Sequence, residues 1–192
     1  WGLSFTYIEQ PSPDGLAQAY ILAEAFLAGA PSAMVLGDNI FYGKLDFYRD
    51  ALAIERGACI FGYQVRDPQR YGVVEFDAAG RAISIVEEPA RPASNYAVTG
   101  LYFYENSVVD VAAALKPSAR GELEITDVNN AYIDRGLMEY DVISGWWGDA
   151  GESIDSYRQA FDFVAEHGAN RVSQTVIRHD GTVLVDELLS AE

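Results

Sequence analysis

The sequence predicts an α/β fold in which a mixed, mostly parallel sheet is flanked by helices. Two observations carry that expectation. Extended and helical signals alternate through the first third of the chain, and the run from Cys59 to Val65 has the near-continuous apolar character of an interior strand. At 192 residues, of which 49% are hydrophobic, the chain is long enough to bury a sizeable core in one domain. No repeat, low-complexity tract or Ser/Gly linker marks a boundary, so a single domain over residues 1–192 is expected.

Taken in order, Phe5 to Ile8 reads as a strand. Gly15 to Leu27 reads as a helix, because Leu16, Ala19, Tyr20, Ala23 and Leu27 recur at helical steps after a Pro-Asp-Gly turn. Ala33 to Leu36 is a short buried strand, and Asp46 to Arg56 a second helix stopped by Gly57. After the strand from Cys59, residues Gly72 to Phe76 and Ala82 to Val86 alternate as a half-exposed hairpin around a turn at Asp77 to Gly80. Tyr96 to Tyr104 is a long aromatic and β-branched strand. Leu123 to Tyr132 is helical, Glu139 to Trp147 extended, and Ile154 to Val164 helical again. Thr175 to Val185 forms a hairpin about Asp180-Gly181.

Acidic residues outnumber basic ones 29 to 13, a formal charge of -16, so a polyanion or an anionic membrane surface would be repelled. Neither nucleic acid nor membrane is an expected partner. A small anion remains admissible, because a few cations, backbone N–H groups or a divalent metal reverse the field inside one pocket. The single cysteine, Cys59, can form no internal disulfide and reads as a small buried residue, which favours a reducing compartment. No run approaches the ~20 apolar residues of a membrane span, and no signal peptide is evident, so the expectation is a soluble, cytoplasmic protein. The chain opens at Trp1 with strand-like sequence at once, as if part of something longer.

Three motifs bear on chemistry. Val35-Leu-Gly-Asp-Asn39 sets Asp38 just after a strand, where open α/β sheets present their ligand crevice, although Gly-Asp-Asn is also ordinary turn chemistry. Trp146-Trp-Gly-Asp-Ala-Gly151 places Asp149 at another strand end. Two such carboxylates suit one Mg²⁺, which takes one or two carboxylates and completes its shell with phosphates and water; two unrelated turn aspartates are the alternative. In Glu9-Gln-Pro-Ser-Pro-Asp-Gly15 two prolines stiffen a loop that enters a helix, and the Gln10 amide could read the edge of a pyrimidine, unless the loop is only a helix entry.

EQPSPDGLAQA, VLGDNIFYG, FGYQVRDPQRYGVVEFD, NYAVTGLYFY and RGELEITDVNNAY occur in this order, and together they resemble the glucose-1-phosphate thymidylyltransferases. The resemblance runs from about residue 5 to 164 and leaves 165–192 as an unassigned tail. It implies a Rossmann-like nucleotidyltransferase fold and the making of dTDP-glucose, or a related sugar nucleotide, from dTTP or UTP and glucose 1-phosphate. Gln10 and Gly15 would hold the base. Asp38 and Asp149 would bind Mg²⁺, and Tyr71, Gly72, Glu87 and Val98 would line the glucose pocket. Arg120 would supply a cation for phosphate, and Trp147 would lie beside the metal aspartate. The catalytic set is then Asp38, Asp149 and Arg120, in a homo-oligomer. Without the resemblance, Arg120 and Glu87 read equally well as surface residues.

Three departures from the family pattern lead to further expectations. The family's opening strand and Gly-rich G-x-G-T-R loop do not precede the matched region, so the chain is expected to be N-terminally truncated and impaired in turnover. Where the family reads E-K-P, this chain reads Glu87-Glu88-Pro89, an anion in place of a cation that meets the sugar phosphate. Ala150 and Glu152 stand where the family has the threonines of D-T-G-T, and Glu152 is expected to add an anion near the metal. The alternative reading is a non-catalytic relative that binds sugar nucleotide or acts as an interaction subunit.

Overall fold

A computed structural model describes residues 2–43, 51, 56–167, 175–177 and 183–185. In chain order the described elements are α1 (Gln18–Leu22), α2 (Glu24–Leu27), β1 (Ser32–Val35), β2 (Asn39–Tyr42), β3 (Ala58–Gln64), β4 (Gly72–Phe76), β5 (Ala82–Glu87), β6 (Tyr96–Tyr104), α3 (Val108–Ala114), α4 (Ile125–Asp134), β7 (Met138–Val142), β8 (Trp146–Asp149), α5 (Ile154–His167), β9 (Thr175–Ile177) and β10 (Val183–Val185). The helix expected over Asp46 to Arg56 lies almost wholly outside the described residues; Ala51 is helical and buried. None of the described helices is long and apolar enough to cross a membrane.

The main sheet is built around β6. One of its edges is taken by β3, antiparallel from Ala58 opposite Tyr104 to Gln64 opposite Tyr96. The other edge is divided. Near its start β4 pairs at Val73 opposite Ala97, and near its end β1 runs antiparallel against Leu101 to Tyr104. Between those two contacts, beside Val98 to Gly100, the edge is covered by neither strand. β5 closes the hairpin on β4, β7 pairs with β3, and β2 forms a separate two-stranded sheet with β8.

The expected α/β architecture of a mixed sheet with helices is observed, with one correction to its composition. Among the described pairs, β3–β7 is parallel and the others are antiparallel. The apolar run in β3 reports burial on both faces, and burial does not encode strand direction. Ile60, Tyr102 and Tyr104 pack one face against Tyr20, Val108, Val111, Val128 and Tyr132 of the helices. Cys59, Phe61 and Phe103 alternate onto the other face with Ala51 and Ile143. Burial pushes the Cys59 thiol up to about 12, aided by the charges of Glu139 and Asp141, so it is an inert core thiol at neutral pH.

Four segments differ from expectation. Phe5 to Ile8 pairs with no described strand and lies exposed, Tyr7 to 92%, because an extended segment without a neighbour has no ladder to join. The helix expected over Gly15 to Leu27 starts later and is broken at Ala23, whose ψ of 1° leaves the helical basin between α1 and α2. The strand expected over Ala33 to Leu36 is only half buried, with Val35 exposed. The run Glu139 to Trp147 is cut into β7 and β8, which belong to different sheets. Gly145 lies in the break, where a Cβ would collide with the carbonyl of Tyr42.

Candidate functional site

The uncovered edge of β6 opens a cavity of about 280 Å³ whose lining includes Leu36, Tyr71, Gly72, Glu87, Val98, Gly100, Arg120, Trp147 and Asp149. Its back wall is pinned by the turn that follows β1. Leu36 N–H donates to the Gly100 carbonyl at 2.9 Å, and Asn39 N–H to the Leu36 carbonyl at 3.1 Å. The Asn39 side-chain oxygen accepts from Gly100 N–H at 2.8 Å and from the indole of Trp147 at 2.7 Å. A side chain at Gly100 would stand 2.7 Å from the Asn39 amide, so glycine is what lets the turn approach the strand. Trp147 is 5% exposed and holds Tyr63 and Tyr71 around its ring, each at 5.7 Å between centroids.

That turn also delivers Asp38 to Asp149. Asn39 is opposite Asp149 in the β2–β8 pair, and Ala150 N–H donates to the Asp38 carbonyl at 2.8 Å. The two carboxylates flank Gly151: Asp149 Oδ1 accepts its N–H at 2.9 Å, while Asp38 Oδ2 occupies the space a Cβ would need. Burial raises the Asp149 carboxyl, the Gly151 N–H opposes the rise, and the charges of Asp38 and Glu152 add to it. Each carboxylate adds to the cost of ionising the other. Among the described residues, no group of three or more His, Cys, Asp or Glu is placed to hold a metal ion. A two-oxygen donor set of this kind fits a hard divalent cation that completes its shell with phosphate and water.

The opposite wall comes from α4. Asn130 holds this helix to the edge strand β5 like a strand partner, its amide accepting from Ile85 N–H and donating to Ile85 C=O, both at 2.8 Å. Four helical residues rise about 6 Å and two strand residues about 6.6 Å, so one turn before Asn130 the helix meets the strand again. There Thr126 donates to the Glu87 carboxylate. Burial raises the Glu87 carboxyl; the Thr126 hydrogen bond opposes it and the Glu124 charge reinforces it.

At the start of α4, Glu124 accepts a fork from Arg120, Nε at 3.1 Å and Nη2 at 3.0 Å, plus the Ser118 hydroxyl at 2.7 Å. Burial pushes Glu124 up, but these donors outweigh it and hold the carboxyl below its ordinary value. Arg120 Nη1 donates to Glu88 at 2.7 Å, and Arg70 pairs with Glu152. The anion expected of Glu152 is therefore present but paired.

The described fold matches known proteins over most of its length. The nucleotidyl transferase family model covers residues 1–167. The chain belongs to the nucleotidyl transferase family. Over 168 residues it is 54% identical to a glucose-1-phosphate thymidylyltransferase of Xanthomonas campestris pv. campestris, covering 85% of this chain and 57% of that protein. It is 49% identical to the enzyme of that name from Neisseria meningitidis, covering 85% of this chain and 58% of that one. A crystal structure of a Bacillus anthracis protein assigned as a glucose-1-phosphate thymidylyltransferase, in complex with a sucrose, superimposes with a TM-score of 0.80 at 40% identity. That match covers 90% of this chain and 69% of the other. The chain thus spans a little over half the length of the curated relatives it matches.

In this member of the nucleotidyl transferase family, Tyr71, Gly72, Glu87, Val98, Arg120, Trp147 and Asp149 share one cavity, and Asp38 adjoins it through Gly151. Gln10 and Gly15 do not line it; their loop reaches the cavity through Leu16. Gln10 Nε2 is used within the loop, donating to Gly15 C=O at 3.2 Å and to Gln18 at 2.7 Å. Gly15 has φ 105° and no room for a Cβ beside the Leu123 backbone, so its part in the fold is a close approach that seats the loop on the segment before α4. Sequence reading missed Asn39, Arg70, Tyr102, Glu124, Thr126 and Asn129 in the lining. All six sit inside motifs already singled out. Pairing and packing, rather than any local signal, bring their side chains to the cavity.

Proposed function

We propose that the chain carries the chemistry of a glucose-1-phosphate thymidylyltransferase, joining a nucleotidyl group from dTTP, or alternatively UTP, to glucose 1-phosphate. A phosphate oxygen of the sugar phosphate attacks the α-phosphorus, the α–β bond breaks, and pyrophosphate leaves with the bonding pair. No covalent enzyme intermediate is required. The observation that carries this reading is the single cavity shared by Tyr71, Gly72, Glu87, Val98, Arg120, Trp147 and Asp149.

Glu87, oriented by Thr126, accepts from sugar hydroxyls, while Gly72 and Val98 line the sugar's side of the cavity. Arg120 directs its remaining donors at the phosphate: five guanidinium N–H groups less the three spent on Glu124 and Glu88 leave two. The Gln10 side-chain oxygen is the part of that amide available to a base N–H, since its nitrogen serves the loop. Asp38 and Asp149 would hold Mg²⁺, which would offset charge on the phosphates. Residues 1–192 would form one nucleotidyltransferase-like domain with its core over about 5–164 and a tail over 165–192. The protein would act as a cytoplasmic homo-oligomer, with neither nucleic acid nor membrane as partner.

Calorimetry with dTDP-glucose tests the reading. Binding is expected for the unmodified chain and a loss of about tenfold or more for Glu87→Ala, the usual scale for removing one hydrogen bond to a charged group. Equal affinity in the two proteins, or none in either, overturns it.

A further inference from the structure

Glu87 and Glu88 are adjacent, yet both line the cavity. In a continuing strand they would point to opposite faces. The alternation fails because Glu88 has φ 41°, in the left-handed region that non-glycine residues seldom occupy. Its N–H is anchored on the Tyr71 carbonyl at 3.1 Å, and its carboxylate lies 2.7 Å from Arg120 Nη1. The lining therefore presents Glu87, Glu88, Glu122, Glu124, Asp149 and Glu152 against Arg70 and Arg120, and each arginine already faces a carboxylate.

We propose that Glu88 is a specificity-determining residue, an internal anion held on Arg120 with which a ligand phosphate must compete for this arginine. The cavity then discriminates by charge: a ligand phosphate binds against the competition of Glu88, whereas the uncharged part of a ligand meets none. Glu88 and Arg120 are about half exposed, at 53% and 44%, so the carboxylate can swing into water when displaced. The Glu124 fork stays in place throughout and keeps the guanidinium aimed. The phosphate half of this inference stands alone, while its extension to glucose 1-phosphate rests on the function proposed above.

The test is a titration of inorganic phosphate, glucose 1-phosphate and glucose, followed through the amide resonances of Gly72 and Thr126. It compares the unmodified chain with Glu88→Gln and with Glu88→Gln combined with Arg120→Gln. In Glu88→Gln, phosphate and glucose 1-phosphate should bind about two- to fivefold tighter, the range expected on removing a half-exposed competing charge. The gain should vanish in the double variant, and glucose affinity should not change. Glu88→Asn, which tolerates the left-handed backbone, should reproduce the gain and guards against a folding defect in the first variant. Unchanged phosphate affinity in folded Glu88→Gln and Glu88→Asn overturns the inference. If phosphate tightens but glucose 1-phosphate binds no better than phosphate, the internal anion stands and the glucose reading falls.

Discussion

Glu87 is held in the cavity against its own ionisation. Burial raises its carboxyl in the folded chain, with the nearby carboxylates adding to the effect. A folded value above the unfolded one favours the neutral form, so the associated stability is full below the unfolded value and is lost as pH rises through the folded one. Glu87→Gln keeps an acceptor for Thr126 and removes the charge. The variant should therefore melt higher than the unmodified chain at pH 7, with the difference shrinking as pH falls and disappearing below the ordinary glutamate range of about 4.3. Melting curves from pH 4 to pH 8 check it; a difference independent of pH would mean that the charge of Glu87 is not the cost. Such a cost is consistent with a group retained for a ligand's hydroxyls, since the Thr126 hydrogen bond and the Arg120 charge offset it only in part.

The helix–strand contact is what makes the cavity wall. Asn130 supplies both a donor and an acceptor to Ile85 on an edge strand, and Thr126 repeats the contact at Glu87. Asn130→Ala should leave two part-buried backbone groups without partners, at a cost of about 1–3 kcal/mol. Hydrogen exchange at the Ile85 amide should speed up as stability falls. A variant that loses less than about 0.5 kcal/mol, with Ile85 exchange unchanged, would show that β5 does not depend on α4. The lesson at this scale is that one side-chain amide sets the register of the helix, and the register brings Thr126 to Glu87.

Across the molecule, a net charge of -16 on 192 residues means that like charges oppose compaction. The two arginine-centred pairs in the cavity offset this only locally. Raising NaCl shortens the screening length from about 30 Å at 0.01 M to about 8 Å at 0.15 M, which should relieve long-range repulsion more than it weakens the contact pairs. The melting temperature should rise over that range by a few degrees, since about 1 kcal/mol corresponds to about 2–4 °C for a chain of this size. A flat or falling melting temperature would assign the dominant electrostatic contribution to the ion pairs instead.

Local pattern was enough to locate several elements and much of the candidate site. The hairpin of β4 and β5, the long aromatic β6 and the helix over Ile125–Asp134 follow from periodicity and turn residues, which act within a few positions of one another. The placement of Asp38 and Asp149 at turns beside strands was legible for the same reason, and the motif resemblance supplied Tyr71, Gly72, Glu87, Val98, Arg120 and Trp147 as a group. What tertiary structure decided is the pairing. Phe5 to Ile8 has strand composition but no described neighbour, and Glu139 to Trp147 has the pattern of one strand but serves two sheets, with Gly145 between them passing close to the Tyr42 carbonyl. Strand direction, the division of one edge of β6 between β4 and β1, and the meeting of Glu88 with Arg120 across 32 positions depend on partners distant in the chain. A short window of sequence reports how a residue is buried and where the chain turns, whereas the choice of partner is made only when the whole core closes.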